Sequence, residues 1–147
     1  MDILRRNTDY ALRAMVNLAG YYGREPVSTR EIAQAEDISY QLACKLMQKL
    51  HNAGLVKSSM GPKGGFVLCR KPTKINLMEI IRVIQGPLSL NRCVLSKEVC
   101  NHQKNCKVTV KLSKLQNYIS DYLEGITLDE LMHSRDKKQK KVKRRIR

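Results

Sequence analysis

The chain has 147 residues, 42% of them hydrophobic and 28% charged, with 28 Lys and Arg against 13 Asp and Glu. That length suits one soluble domain with a modest core, or a small domain plus a docking element. The formal net charge of +15 is unevenly placed: residues 1–75 carry 12 basic and 6 acidic side chains, 76–134 carry 7 and 6, and 135–147 carry 9 and 1. No apolar run approaches the ~20 residues that span a bilayer, which excludes a transmembrane helix. Met1-Asp2-Ile3-Leu4-Arg5-Arg6, with Asp9 close behind, predicts no secretory signal and hence a cytoplasmic protein without a membrane partner. Five cysteines in such a compartment point to metal, cluster or redox chemistry, because the cytosol keeps thiols reduced.

From Thr8 the pattern turns helical, with Ala11, Met15, Leu18 and Ala19 recurring at spacings of three and four until Gly20 and Gly23. Ser28-Thr29-Arg30-Glu31 has the form of a capping box and predicts a short helix burying Ile32, Ala33 and Ala35. A break at Glu36-Asp37 follows, with Ile38 packing into the turn. Ser39 is the expected N-cap of a third helix whose buried stripe is Leu42, Ala43, Leu46, Met47 and Leu50, with Gly54 at its C′ position. Helix, tight turn and helix with a polar outer face describe a helix-turn-helix. Tyr40, Gln41, Lys45, Gln48 and Lys49 on that face suit base edges and phosphates in the major groove, although an ordinary bundle surface has the same shape.

The next segment shifts the balance. Leu55-Val56-Lys57-Ser58 and Phe66-Val67-Leu68 predict two strands around the turn Gly61-Pro62-Lys63-Gly64-Gly65. A hairpin placed there is a wing, and a Gly-rich basic tip can lie along phosphates or enter the minor groove. The expected fold is therefore mostly α with a small β-hairpin wing: a winged helix-turn-helix over residues 1–86. Phosphate contacts are expected from Arg5, Arg6, Lys49 and Lys63, and base contacts from Ser39, Tyr40, Gln41 and Lys45, with double-stranded DNA as the partner.

Asn76-Leu77-Met78-Glu79 predicts another capped helix with Ile80, Ile81 and Ile84 buried, stopped by Gly86-Pro87. Residues 87–107 form a cysteine-rich loop without clear period. Val108, Leu112, Leu115, Ile119, Tyr122 and Ile126 then make a narrow heptad-like seam, with Lys111, Lys114, Gln116 and Asp121 opposite. A single narrow seam without a second long helix predicts a homodimer through residues 108–134, which suits a palindromic operator; packing on its own domain is the plainer alternative. Residues 135–147 are almost wholly Lys, Arg, Gln and Asp, and a disordered basic tail is expected.

Cys93, Cys100 and Cys106 stand as C-x6-C-x5-C, close enough for three sulfurs to reach one metal centre. Thiolates suit zinc or iron–sulfur clusters, and Arg92, Lys97, Lys104 and Lys107 would favour the thiolate form. Neither common zinc-finger spacing is present, and His102 is the local candidate for a fourth ligand. Cys44 and Cys69 are expected to be small buried hydrophobes.

The chain resembles the IscR/NsrR-type bacterial transcription regulators over roughly residues 1–133. The resemblance is carried by Thr8-Asp9-Tyr10-Ala11-Leu12-Arg13-Ala14, Ile38-Ser39, Leu50-His51-Asn52-Ala53-Gly54-Leu55-Val56, Gly61-Pro62-Lys63-Gly64-Gly65-Phe66-Val67-Leu68 and the three spaced cysteines ahead of a long helix. It implies a winged-helix homodimer on promoter DNA, with an iron–sulfur cluster on the cysteine loop that tunes DNA binding. The IscR type places a histidine three residues after the last cysteine, where this chain has Thr109. The NsrR type uses an aspartate early in the first helix, supplied by the partner subunit, and Asp9 resembles it. A 4Fe-4S cluster on Cys93, Cys100, Cys106 and Asp9 is thus the favoured expectation and a 2Fe-2S cluster the alternative. A carboxylate ligand would leave one iron open to nitric oxide.

The same residues are compatible with a different class of regulator. Zinc held by Cys93, Cys100, Cys106 and His102, or thiol redox chemistry alone, would give a regulator without a cluster. An enzyme acting on a small-molecule substrate is not expected, because the chain has no nucleotide-binding glycine motif, nucleophile elbow or HExxH.

Overall fold

The computed structural model describes residues 2–96 and 100–134. The expected basic tail and Lys97 lie outside the described residues. Helix α1 (Arg6–Gly20) buries Thr8, Ala11, Ala14, Met15, Leu18 and Ala19 along one stripe. It begins two residues ahead of the apolar periodicity because the Arg5 carbonyl accepts from the Thr8 and Asp9 amides.

Helix α2 (Thr29–Glu36) opens on the predicted capping box: Glu31 N–H donates to Ser28 Oγ at 3.2 Å, and Ser28 N–H to Glu31 Oε2 at 2.7 Å. Asp37, at φ 52°, turns the chain out of the helix, and Ile38 N–H bonds the Ala33 carbonyl. Ser39 then caps α3 (Tyr40–Asn52), accepting from Leu42 N–H at 3.2 Å. α2 and α3 pack together, and Ala43, Leu46, Met47 and Leu50 face the core. Arg13 Nε holds the largely buried Glu36 carboxylate at 2.8 Å, which pins α1 to the end of α2.

Strands β1 (Val56–Ser59) and β2 (Gly65–Leu68) are antiparallel, Val56 opposite Leu68 and Ser59 opposite Gly65. The hairpin is not left on its own. Val27, just ahead of α2, forms a bridge with Phe66, its N–H donating to the Phe66 carbonyl at 3.1 Å and its carbonyl accepting from Phe66 N–H at 2.8 Å. Gly65 permits this closeness, since a Cβ there would collide with the Val27 carbonyl. The wing is thereby fixed relative to the helix-turn-helix.

A short 3-10 turn (Pro72–Lys74) leads to α4 (Leu77–Gln85), capped by Asn76 as the sequence predicts. Met78, Ile80, Ile81 and Ile84 are buried, and α4 packs on α1, α3 and α6 (Lys107–Gly125). Between α4 and α6 lie α5 (Arg92–Leu95) and a 3-10 turn (Gln103–Asn105). After α6 the chain returns along the start of α4: Leu77 N–H bonds Ile126 O, and Leu128 N–H bonds Ile75 O, each at 3.0 Å. Leu128 is fully buried, and residues 128–134 are helical.

The α6 seam divides between two environments. Leu112, Ile119 and Ile126 are half-buried, whereas Val108, Leu115 and Tyr122 are 64%, 47% and 63% exposed and are joined on that outer face by Tyr118. Gln116, expected opposite the seam on the polar face, is buried. It accepts from Leu90 N–H at 2.9 Å and donates to Ser120 Oγ at 3.3 Å, so it satisfies a backbone amide of the incoming loop. Cys69 is exposed rather than buried, because β2 ends at Leu68 and only its backbone is engaged, by Leu55 O.

Candidate nucleic-acid interface and cysteine loop

The N-terminus of α3 presents Tyr40, Gln41 and Lys45 to solvent, with Ser39 beside them. Ser39 Oγ is engaged as the helix cap, while Gln41 and Lys45, one turn apart, have open ends. Tyr40 is 54% exposed. Its hydrogen bond with the Cys44 thiol, one turn on, holds the phenol above its ordinary pKa, so it is a neutral O–H at physiological pH. Lys49 lies further along α3 and its Nζ donates to the Ile84 carbonyl at 3.4 Å, which ties α3 to the end of α4.

The wing stands next to this surface. Arg30, Tyr40, Ser58, Ser59, Met60 and Phe66 line one cleft between α2, α3 and the hairpin. Lys63 projects from the turn, with only a loose exposed pair to Glu25 at 3.7 Å. Arg30 and Met60 were not singled out from the sequence. Arg30 sits inside the capping box, where the cap dominates the local signal, and Met60 is a lone apolar residue without period.

Arg5 and Arg6 open α1 and are exposed. Their position depends on Gln85, the last residue of α4. Gln85 Oε1 accepts from Arg5 N–H at 3.0 Å and from Thr8 Oγ1 at 2.7 Å, and Gln85 Nε2 donates to Ile3 O at 3.0 Å. Asp9 lies in the first turn just beyond this clasp, exposed, 3.8 Å from Arg13.

The cysteine loop leaves the end of the same helix at Gly86, which has φ 88°. Cys93 lies within α5, whose N-cap Asn91 accepts from Val94 N–H. Cys100 is exposed, and Cys106 is the N-cap of α6. Hydrogen bonds from the Thr109 side chain and from the Thr109 and Val108 backbone amides hold the Cys106 thiol below its usual range. A thiol at a helix N-terminus with these donors is prepared to act as a thiolate. Among the described residues, no three His, Cys, Asp or Glu side chains gather within reach of one metal ion. The donors nevertheless suit a soft metal centre: partly or fully exposed sulfurs, one of them acidified, with Arg92, Lys104 and Lys107 close in sequence.

The family model described as Rrf2, an iron-dependent transcriptional regulator, matches residues 4–134. The chain belongs to the Rrf2 family. Curated relatives include CymR of Bacillus subtilis, 34% identical over 88% of this chain and 89% of its own length, and IscR of Aliivibrio salmonicida, 34% identical over 84% and 73%. Among solved structures it is similar to the B. subtilis CymR described as the global cysteine regulator, with a TM-score of 0.76 at 31% identity over 91% of this chain and 98% of that one. IscR of T. potens follows with a TM-score of 0.74 at 31% identity, over 92% and 90%. This Rrf2 protein is a winged-helix DNA-binding transcriptional regulator and not an enzyme. No helix among the described residues is long and apolar enough to cross a membrane.

The α2 cap generates a pH prediction. Hydrogen bonds from Ser28 lower the Glu31 pKa in the folded state, so the stabilisation is present above the unfolded pKa and lost as pH falls through the folded one. Urea unfolding of Ser28→Ala should therefore show a loss of stability at neutral pH that shrinks below about pH 4, the ordinary glutamate range. A loss of equal size at both pH values would contradict the assignment.

Proposed function

We propose that this Rrf2 protein is a homodimeric promoter-binding regulator whose DNA affinity is set by an iron–sulfur cluster on Cys93, Cys100 and Cys106, with Asp9 as the fourth ligand. The observation that carries the reading is the clasp at the end of α4, where the cysteine loop, α1 and α3 share one turn. Gln85 fixes the start of α1, and with it Arg5, Arg6 and Asp9; Lys49 fixes α3 to the preceding carbonyl. Gly86 then opens directly into the loop that carries the three cysteines. A change in loop conformation acts on the two DNA-facing helices through this turn. Two recognition helices of a dimer must meet half-sites roughly 34 Å apart, so small tilts alter affinity strongly.

When bound, the cluster supplies a redox- and nitric-oxide-sensitive centre, with 4Fe-4S favoured over 2Fe-2S because Thr109 stands where an IscR-type histidine would be. Cys106 contributes the acidified thiol, Cys93 and Cys100 the other two sulfurs, and Asp9 a hard carboxylate whose exposure leaves it able to meet a second subunit. The exposed stripe of Val108, Leu115, Tyr118 and Tyr122 on α6 supports the dimer, since such an apolar face gains from being covered. Ser39, Tyr40, Gln41 and Lys45 read base edges, while Arg5, Arg6, Lys49 and Lys63 hold phosphates. A second reading, thiol redox control or zinc without a cluster, is favoured by the same acidified Cys106 and by the likeness to a cysteine regulator.

Anaerobic purification with iron, sulfide and zinc quantitation separates these readings. About four iron and four sulfide per chain, lost in Cys106→Ser and reduced in Asp9→Ala, is the expected result; a fresh anaerobic sample without iron would overturn the cluster. For the interface, Gln41→Ala should cost about 1–3 kcal/mol on the preferred sequence and relax preference there. Lys63→Ala should weaken all sequences alike and lower the salt slope by about one. Uniform loss from Gln41→Ala, measured by titration against varied duplexes, would contradict the base-contact role.

A further inference from the structure

Met60 is 94% exposed, the extreme among the large apolar side chains of the described residues. Single exposed hydrophobes are common and need no account of their own. This one differs in how it is held and in what stands beside it. It follows β1 at the start of the turn Met60-Gly61-Pro62-Lys63-Gly64, and that turn is tight. Gly64 N–H bonds the Gly61 carbonyl at 2.9 Å, and a Cβ on Gly64 would lie 2.5 Å from the Ser59 oxygen and 2.8 Å from that of Gly61. The backbone under Met60 is therefore closely packed. The hairpin beneath it is locked to the body by the paired hydrogen bonds between Val27 and Phe66.

Met60 also shares a cleft with Arg30, Tyr40, Ser58 and Ser59, on the side of the molecule that carries the start of α3, and Lys63 projects three residues away. An apolar side chain on a fixed support, at the rim of a cleft that also carries a cation and hydroxyls, matches the chemistry of DNA rather than that of a protein partner. The cation and hydroxyls suit phosphates. The apolar tip suits the faces of bases at an opened step, where apolar side chains inserted from the minor groove lodge.

We infer that Met60 is an apolar wedge that enters the minor groove and opens a base step beside the half-site read by α3. Pyrimidine–purine steps unstack most easily, so the wedge confers a preference for such a step at a fixed offset from the major-groove contacts. The thioether's flexibility lets it fill the opened step without demanding one base identity. The inference rests on the DNA-binding reading of this surface and extends it to a specificity that no hydrogen bond supplies.

The test uses the full-length wild-type protein, Met60→Ala and Met60→Leu, with a pool of randomised duplexes as the probe. Both variants leave the fold intact, because the replaced side chain is almost wholly in solvent. Wild type should enrich a half-site together with a pyrimidine–purine step at one offset. Met60→Ala should keep the half-site, lose the step, and bind the best wild-type duplex roughly tenfold more weakly, a loss on the scale of a mismatched base pair. Its salt slope should be unchanged, since no charge is removed. Met60→Leu should restore both step and affinity. A Met60→Ala protein with the wild-type step preference and affinity overturns the inference and leaves DNA binding standing. A wild-type protein that enriches no sequence overturns the base-reading role of this surface and the wedge with it.

Discussion

The last turn of α4 is the constraint on which the rest of the molecule depends. α4 lies between α1, α3 and α6, with Ile80 and Ile81 fully buried. Its C-terminal groups reach outward to both α1 and α3. Gln85 accepts two hydrogen bonds from the start of α1 and donates a third, and the Ile84 carbonyl receives Lys49 from α3. Side-chain amides that satisfy backbone groups across a tertiary contact fix geometry more than they add stability, each worth about 1 kcal/mol net. Their value here is positional, since the cysteine loop begins one residue later.

The wing obeys a second constraint of the same kind. A two-stranded hairpin alone is marginal in water. Here the Val27–Phe66 bridge adds one further pair of backbone hydrogen bonds at the point where Gly65 lets the backbones meet. The recognition helix, the α2 cap and the wing tip therefore form one surface. The excess of basic over acidic residues, 12 against 6 within residues 1–75, favours sequence-independent attraction to DNA.

Much of the fold was legible because its signals are local. Ser28 with Glu31, Ser39 and Asn76 announce helix starts through bonds spanning three residues, and the Gly-Pro-Lys-Gly-Gly turn announces the wing. What sequence reading missed depends on partners far along the chain. Gln85 bonds to residues some eighty positions away, and Gln116 reaches back to Leu90; neither leaves a periodic trace. The α6 seam was recognisable as apolar, but periodicity could not tell that half of it faces the protein's own body, because both halves occupy adjacent strips of one helix. Cys69 departs from the general tendency of free cysteine to be buried, because β2 ends at Leu68 and the ladder no longer covers it. The cysteine spacing and the family resemblance carry the chemistry assigned to the loop, and the acidified Cys106 adds a physical reason for it that spacing alone does not contain.

The claim that the loop controls DNA through the end of α4 is tested most directly by one ratio. Affinity for the preferred duplex would be measured with the anaerobic, iron-loaded protein and again after iron removal, in wild type and in Gln85→Ala. Iron removal is expected to change the affinity clearly in wild type, with a ratio that collapses towards unity in Gln85→Ala at equal iron content. A variant that loads iron normally and retains the full wild-type ratio would contradict it.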